Sequence, residues 1–216
     1  EYDETLTQKR LQEQNAKIQQ ELEKRKQTTN WYGAENFQQN TSQKNMAQNR
    51  SQTKEEQKRR YDFHVCDAGY RRYMERIKQQ ILPFIREGLC LDYGCGSIHL
   101  LSTLLENQRI TCDYYDLFYY PTLTDKQYDT IILIEVFEHL EHPFDELTAL
   151  LKHLKKGGRL IIKTKPYPPE RLETWWYLRD ATHVSFVSEK TFLLWQTIFP
   201  FSLIWQKDDI FVLERI

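Results

Sequence analysis

The chain has 216 residues, a formal net charge of -1 and 40% hydrophobic residues, enough for one ordinary domain and an appendage. That balance excludes a general electrostatic attraction to nucleic acid or lipid headgroups, although not a local basic patch. No segment approaches the roughly 18–20 consecutive apolar residues of a membrane helix, and no secretory leader is recognisable, so a soluble, cytoplasmic protein is expected.

The first residue is Glu1 rather than Met, which suggests a fragment or a processed chain. Residues 1–60 are rich in Gln, Asn, Lys and Glu and read as a polar arm separate from a globular domain over 61–216. Leu11, Ile18 and Leu22 permit one amphipathic helix from Thr5 to Lys26, and Gln38 to Arg60 reads as loop or polar helix. A solvated arm is the expectation; contact with another subunit or protein is the alternative. The period of Tyr70, Tyr73, Met74, Ile77, Ile81 and Leu82 predicts a helix ending at Pro83.

Leu89 to Tyr93 predicts a short buried strand and Ile98 to Leu105 the helix after it. Between them Asp92-Tyr93-Gly94-Cys95-Gly96 forms a Gly-x-Gly turn, whose backbone can approach a nucleotide closely. A carboxylate at 92 would repel a pyrophosphate and suits a ligand bearing an amine or a sulfonium. Asp116 ends a second apolar segment, Ile110 to Leu117, where an acidic side chain can hold ribose hydroxyls. The four cysteines, at 66, 90, 95 and 112, lack metal-ligand spacing and read as buried thiols.

On Asp92, Gly94, Gly96 and Asp116 the chain resembles the class I S-adenosylmethionine-dependent methyltransferases, although Ile98 stands where their third glycine falls. The resemblance implies an α/β, Rossmann-like, mostly parallel sheet with a terminal antiparallel hairpin, and S-adenosyl-L-methionine as cofactor. Gly94, Cys95, Gly96, Asp116, Leu117, Phe118, Glu135 and Val136 would line the cofactor, with Asp92 at its charged end. Tyr61 and His64 are candidate lid residues, surface packing being the equal alternative. A nicotinamide cofactor fits the same turn poorly.

Only eleven residues, Leu117 to Gln127, precede the next buried strand, Tyr128 to Ile134, so the third strand of the usual sheet should be short or absent. Phe118, Tyr119 and Tyr120 would then help to enclose the adenine. Phe144 to Leu154 reads as an amphipathic helix, Lys155 to Gly158 as its cationic end and glycine stop, and Arg159 to Thr164 as a strand. Ser188 should cap a helix running to Thr197, and Phe201 to Gln206 with Ile210 to Glu214 should form the hairpin.

If a helical turn follows Ile134, Glu135, Glu138 and His139 share one face. With His183 from a later loop they could ligate Mg²⁺, Mn²⁺, Fe²⁺ or Zn²⁺, Mg²⁺ or Mn²⁺ being the cofactor expectation. Glu-x-x-Glu-His with a loop His resembles two branches of the superfamily: small-RNA 3′-terminal 2′-O-methyltransferases and ubiquinone-pathway O-methyltransferases. Without a metal, Glu135 would line the methionine end while Glu138 and His139 support the loop. His139 or His183 is the candidate proton acceptor. Residues 166–183 should form the acceptor pocket, with Tyr167, Trp176 and Arg179 as candidate contacts and one of Trp175 and Trp176 closing the core. The expected reaction is O-methylation of a small molecule. The alternatives are an RNA end, for which Lys163, Lys165, Arg171 and Arg179 would supply a groove, and a non-catalytic interaction module.

Overall fold

The computed structural model describes Lys58, residues 67–168, Glu170 and residues 174–216. The expected arm over 1–60, apart from Lys58, together with Tyr61, His64, Cys66 and Arg171, lies outside the described residues. The elements are α1 (Ala68–Ile81), β1 (Cys90–Tyr93), α2 (Leu100–Glu106), β2 (Cys112–Tyr115), β3 (Tyr128–Ile134), α3 (Pro143–His153), β4 (Leu154–Lys163), α4 (Glu189–Trp195), β5 (Phe201–Lys207) and β6 (Ile210–Arg215). No helix among the described residues is long and apolar enough to cross a membrane.

One six-stranded sheet has the order β2-β1-β3-β4-β6-β5. β2, β1, β3 and β4 run parallel, while β6 runs antiparallel to β4 and β5 antiparallel to β6, which is the expected terminal hairpin. Alternate strand residues feed two cores, as the period of two requires. Leu91, Ile131, Leu133, Leu160, Ile162, Phe211 and Leu213 pack with α3 and α4; Cys90, Ile132, Ile161 and Val212 pack with α1 and α2. Burial on both faces explains why these strands read as unbroken apolar runs.

β2 is the sheet edge, with no strand beyond it among the described residues, in line with the short connection. After Asp116 the chain turns tightly, Asp116 and Tyr120 exchanging backbone hydrogen bonds of 3.1 and 2.9 Å. It returns to β3 as coil along β2, where Lys126 and Tyr128 both donate to Asp113 (2.7 and 3.1 Å).

The helices begin on local chemistry. Asp67 caps α1 by accepting from the Tyr70 N–H at 2.7 Å, and Pro143 opens α3 with Asp145 and Glu146 in its first turn. α4 starts from a capping box of Ser188 and Thr191 but stops at Trp195, short of the expected Thr197. α2 starts at Leu100 rather than Ile98, because His99 takes a left-handed backbone (φ 35°) that no helix can include.

Lys155 to Gly158 do not end a helix, as expected, but bulge out of β4. Tyr128 pairs with Leu154 and Thr130 already with Arg159, so the strand absorbs extra residues there. Gly158 is forced by space: a Cβ would stand 2.8 Å from the Lys155 carbonyl oxygen and 3.1 Å from that of Asp129. Gly157 is forced only by its φ of 71°, since a Cβ there would meet nothing within 4 Å. Gly158→Ala should therefore cost about 1–3 kcal/mol through overpacking against backbone. Gly157→Ala should cost only the left-handed penalty of about 1–2 kcal/mol. Urea denaturation of the two variants checks this; a Gly158→Ala variant as stable as the parent would refute the bulge geometry.

Candidate active site

Two groups of residues meet at the carboxyl ends of β1, β2, β3 and β4, the edge where open α/β sheets bind ligands. The first is the glycine turn. Gly94 and Cys95 donate their N–H groups to the Tyr115 carbonyl (2.8 and 3.0 Å), which pins the turn to the end of β2. Asp116 clamps it: Oδ2 accepts from Gly96 N–H at 3.0 Å, and Oδ1 accepts from Phe118 and Tyr119 N–H at 2.8 and 3.1 Å. Gly94 has φ 80° and packs on Val136, where a Cβ would come within 2.3 Å of Cγ2. At Gly96, φ 68°, a Cβ would meet nothing within 4 Å, so open space faces the backbone there.

Asp92 does not face that space. It is buried between β1 and α2, where Oδ2 accepts from the Ser102 N–H at 3.2 Å. Burial pushes its carboxyl up to about 7; the Ser102 N–H works against the shift and Asp116 adds to it. The thiols of Cys90, Cys95 and Cys112 are free and buried, and burial drives all three upward, Cys90 to about 11. Tyr120 is locked to the turn, its hydroxyl donating to the Ser97 carbonyl at 2.9 Å. Its ring lies edge-on to His99, which stacks on Tyr114 with centroids 4.2 Å apart. Leu117 is exposed, Phe118 and Tyr119 half-buried, and the Lys58 ammonium lies 5.2 Å over the Tyr119 ring.

The second group follows β3. Glu135 does not share a helical face with Glu138 and His139: it has φ 53°, and only Phe137–His139 form a turn of 3₁₀ helix. A left-handed residue breaks the run, so the i, i+3, i+4 geometry never forms. Glu135 Oε1 instead accepts from Lys163 Nζ at 2.7 Å and from the Tyr73 hydroxyl at 3.0 Å, and Oε2 from the Tyr177 hydroxyl at 3.2 Å. Burial raises the Glu135 carboxyl, but Lys163 outweighs it and the net direction is down. Burial works against the charge on Lys163, yet Glu135 and Asp209, 2.6 Å away, hold its ammonium above the usual range. Tyr73 is pushed up to about 12, by burial first and then by Glu135.

Glu138 is fully buried. Oε1 accepts from the Tyr177 hydroxyl, while Oε2 has no hydrogen-bond partner among the described residues. Burial pushes this carboxyl up, and the nearby Glu135 charge adds to the shift. His139 Nδ1 lies 3.0 Å from the Thr182 carbonyl and His183 Nδ1 lies 2.9 Å from the Tyr177 carbonyl, with ring centroids 4.8 Å apart. Burial lowers His139. Val184 and Ser185 N–H donate to the Glu138 carbonyl (2.8 and 3.0 Å), which docks the His183 loop on the turn.

One potential ligand atom from each of Glu138, His139 and His183 falls within 4.8 Å of the others; Glu135 stands outside this group. The set fits a divalent cation chemically. It offers one carboxylate oxygen without a partner and two imidazoles whose Nδ1 atoms rest on backbone carbonyls, the outer contacts that orient ligating histidines.

In the loop before α4, Trp175 packs on Tyr177 and Phe186, whereas Trp176 is 58% exposed with Lys165 Nζ 5.8 Å over its ring. Trp175 is thus the less exposed of the two, held in an aromatic group of the loop itself. Tyr167 is half-buried and Arg179 exposed. Lys163, read above as a groove residue, is 5% exposed and ion-paired inside the fold, so it does not line a surface groove. The roles of Tyr73 and Tyr177 as hydroxyl donors were not legible in the sequence. Lys163 carried a signal, being a cation that ends the apolar run Leu160-Ile161-Ile162.

The profile of a family described as a methyltransferase domain matches residues 59–197. The chain belongs to the class I S-adenosylmethionine-dependent methyltransferases. It is 25% identical over 116 residues to a ubiquinone biosynthesis O-methyltransferase of Rickettsia akari (48% of this chain, 46% of the relative). It is 29% identical over 109 residues to a tRNA U34 carboxymethyltransferase of Desulfotalea psychrophila (49% and 32%). It therefore spans less than half the length of either curated relative. The crystal structure of a magnesium protoporphyrin IX methyltransferase from Synechocystis PCC 6803 shares the fold, with a TM-score of 0.50 and 15% identity over 80% of this chain and 100% of that one.

Asp92 gives a test of this geometry. Its folded value of about 7 lies above the ordinary 3.8, so its contribution to stability is present in full below pH 3.8 and lost as pH rises through about 7. Asp92→Asn keeps an acceptor for Ser102 without the charge. The melting temperature of the variant relative to the parent should climb between pH 4 and pH 8; a constant difference across that range would show that Asp92 is not buried as described.

Proposed function

We propose that the protein transfers the methyl group of S-adenosylmethionine to an oxygen of a small-molecule acceptor. The observation that carries this reading is the meeting of a clamped glycine turn with a carboxylate and two imidazoles at one edge of the sheet. The name of the Rickettsia relative, an O-methyltransferase, supports oxygen as the accepting atom. S-adenosylmethionine, when bound, supplies an electrophilic methyl on a sulfonium. The chain's task is then to hold, align and deprotonate.

Gly94, Cys95 and Gly96 would present backbone to the cofactor, with the open space at Gly96 admitting it. Asp116 already accepts three backbone N–H groups and, with roughly four acceptor positions on a carboxylate, keeps about one for a ribose hydroxyl. Leu117, Phe118 and Val136 would border the same crevice. Asp92 supports the turn from beneath. Without a cation, His139 or His183 is the proton acceptor: a neutral imidazole that donates through Nδ1 carries its basic lone pair on Nε2. In the alternative arrangement the same Nε2 lone pairs, with Glu138, would hold a divalent cation such as Mg²⁺ or Mn²⁺. The histidines would then be ligands and not bases, and the cation would lower the pKa of a bound hydroxyl so that its proton passes to solvent. The exposed Trp176 and Arg179, with the half-buried Tyr167, suit a planar or anionic acceptor. An RNA acceptor is the second reading, favoured by the tRNA-modifying relative, with Lys165 and Arg179 as its contacts.

Calorimetry with S-adenosylhomocysteine tests the cofactor. Asp116→Ala should weaken binding about 10- to 100-fold, the worth of a charged hydrogen bond. Changing Glu138 and His139 together to Ala should spare that binding but cut turnover of an acceptor found in a phenol screen by about 100-fold or more. Failure of the parent to bind S-adenosylhomocysteine would sink the proposal, and undiminished turnover in the double variant would remove both residues from the reaction.

A further inference from the structure

Glu135 and Glu138 stand three residues apart and share the Tyr177 hydroxyl, yet only Glu135 is paired with an ammonium, that of Lys163. Glu138 Oε2 has no hydrogen-bond partner among the described residues, and one oxygen of this carboxylate lies within 4.8 Å of a ring nitrogen of each of His139 and His183. Glu135 Oε1, by contrast, takes Lys163 Nζ at 2.7 Å and the Tyr73 hydroxyl at 3.0 Å. Its backbone is held by the same neighbour, the Glu135 N–H donating to the Lys163 carbonyl at 2.9 Å. Lys163 cannot follow Glu135 toward the histidines, because its ammonium also bonds Asp209, at 2.6 Å, in the turn between β5 and β6. Nor can it turn to water, being 5% exposed, and a buried ammonium without its carboxylates is costly. A divalent ion that shared Glu135 would sit beside that ammonium and be repelled. The Tyr177 hydroxyl, bonded to both carboxylates, marks the border between the two groups.

We propose that Lys163 is a positioning residue that holds Glu135 out of the cation site, so that a divalent ion is ligated by Glu138, His139 and His183 alone. This departs from the four-ligand set that the Glu-x-x-Glu-His resemblance implies, and it rests on the cation reading above. Three protein ligands leave about three of six octahedral positions open to water or acceptor oxygens.

The test is titration of the full chain with Mn²⁺, followed by electron paramagnetic resonance for affinity and by water-proton relaxation for the number of coordinated waters. Glu138→Gln should weaken Mn²⁺ binding about tenfold or more, whereas Glu135→Gln should change it less than about threefold. Lys163→Met should let Glu135 in, displacing about one water, and adding Glu135→Gln to it should bring the water back. Lys163→Met with Asp209→Asn, which leaves one fewer carboxylate unpaired, repeats the comparison if the single variant does not fold. Equal losses in Glu135→Gln and Glu138→Gln, or an unchanged water count once Lys163 is gone, would overturn the inference alone. A parent chain that binds no Mn²⁺ would overturn the cation reading and the inference together.

Discussion

The active edge of this protein is organised by one buried ammonium. Lys163 ends β4 inside the fold, and only its two carboxylates make that position tolerable. In satisfying itself it ties the end of β3, through Glu135, to the turn of the terminal hairpin, through Asp209. The hairpin thereby becomes part of the site's framework and not merely an extra pair of strands. Tyr73 brings α1 into the same network, so elements from both ends of the described domain converge on Glu135.

The glycine turn is held by a different logic. It has no charged pair; it hangs from the Tyr115 carbonyl and the Asp116 carboxylate, both at the end of β2. Because β2 is the sheet edge, no strand beyond it among the described residues buttresses the turn. The tight reversal from Asp116 to Tyr120, the Tyr120 hydroxyl on Ser97 and the stacked His99 and Tyr114 rings do that work instead. Of these contacts the short connection supplies Tyr120, whereas Tyr114 comes from β2 and His99 from the turn before α2. The two groups touch where Val136 packs on Gly94, so the backbone between Ile134 and Phe137 sets their separation.

This separation of tasks bears on chemistry. Asp116 and the glycines shape a polar cradle, while Glu138, which gathers with His139 and His183, buries a carboxylate oxygen that has no hydrogen-bond partner among the described residues. A buried acceptor left unsatisfied is destabilising by itself and is found where a ligand or ion completes the site. Tyr177 links this group to the loop that carries Trp176 and Arg179, so ordering of that loop and geometry of the histidines are mechanically connected.

The α/β architecture, the glycine turn with Asp116 after it, the terminal hairpin and a sheet that ends at β2 among the described residues were all legible in the sequence. Each of those follows from local facts: apolar runs, glycine spacing, and a connection of eleven residues too short for a helix, strand and helix. Only the tertiary structure decided that Lys155 to Gly158 bulge within β4, that Asp92 turns inward, and that Lys163 claims Glu135 and leaves Glu138 to the histidines. The physical reason is sequence distance. Lys163 meets Glu135 across 28 residues and Asp209 across 46. Such pairings are set by the register of neighbouring strands, and register is a property of the assembled sheet that no single strand carries.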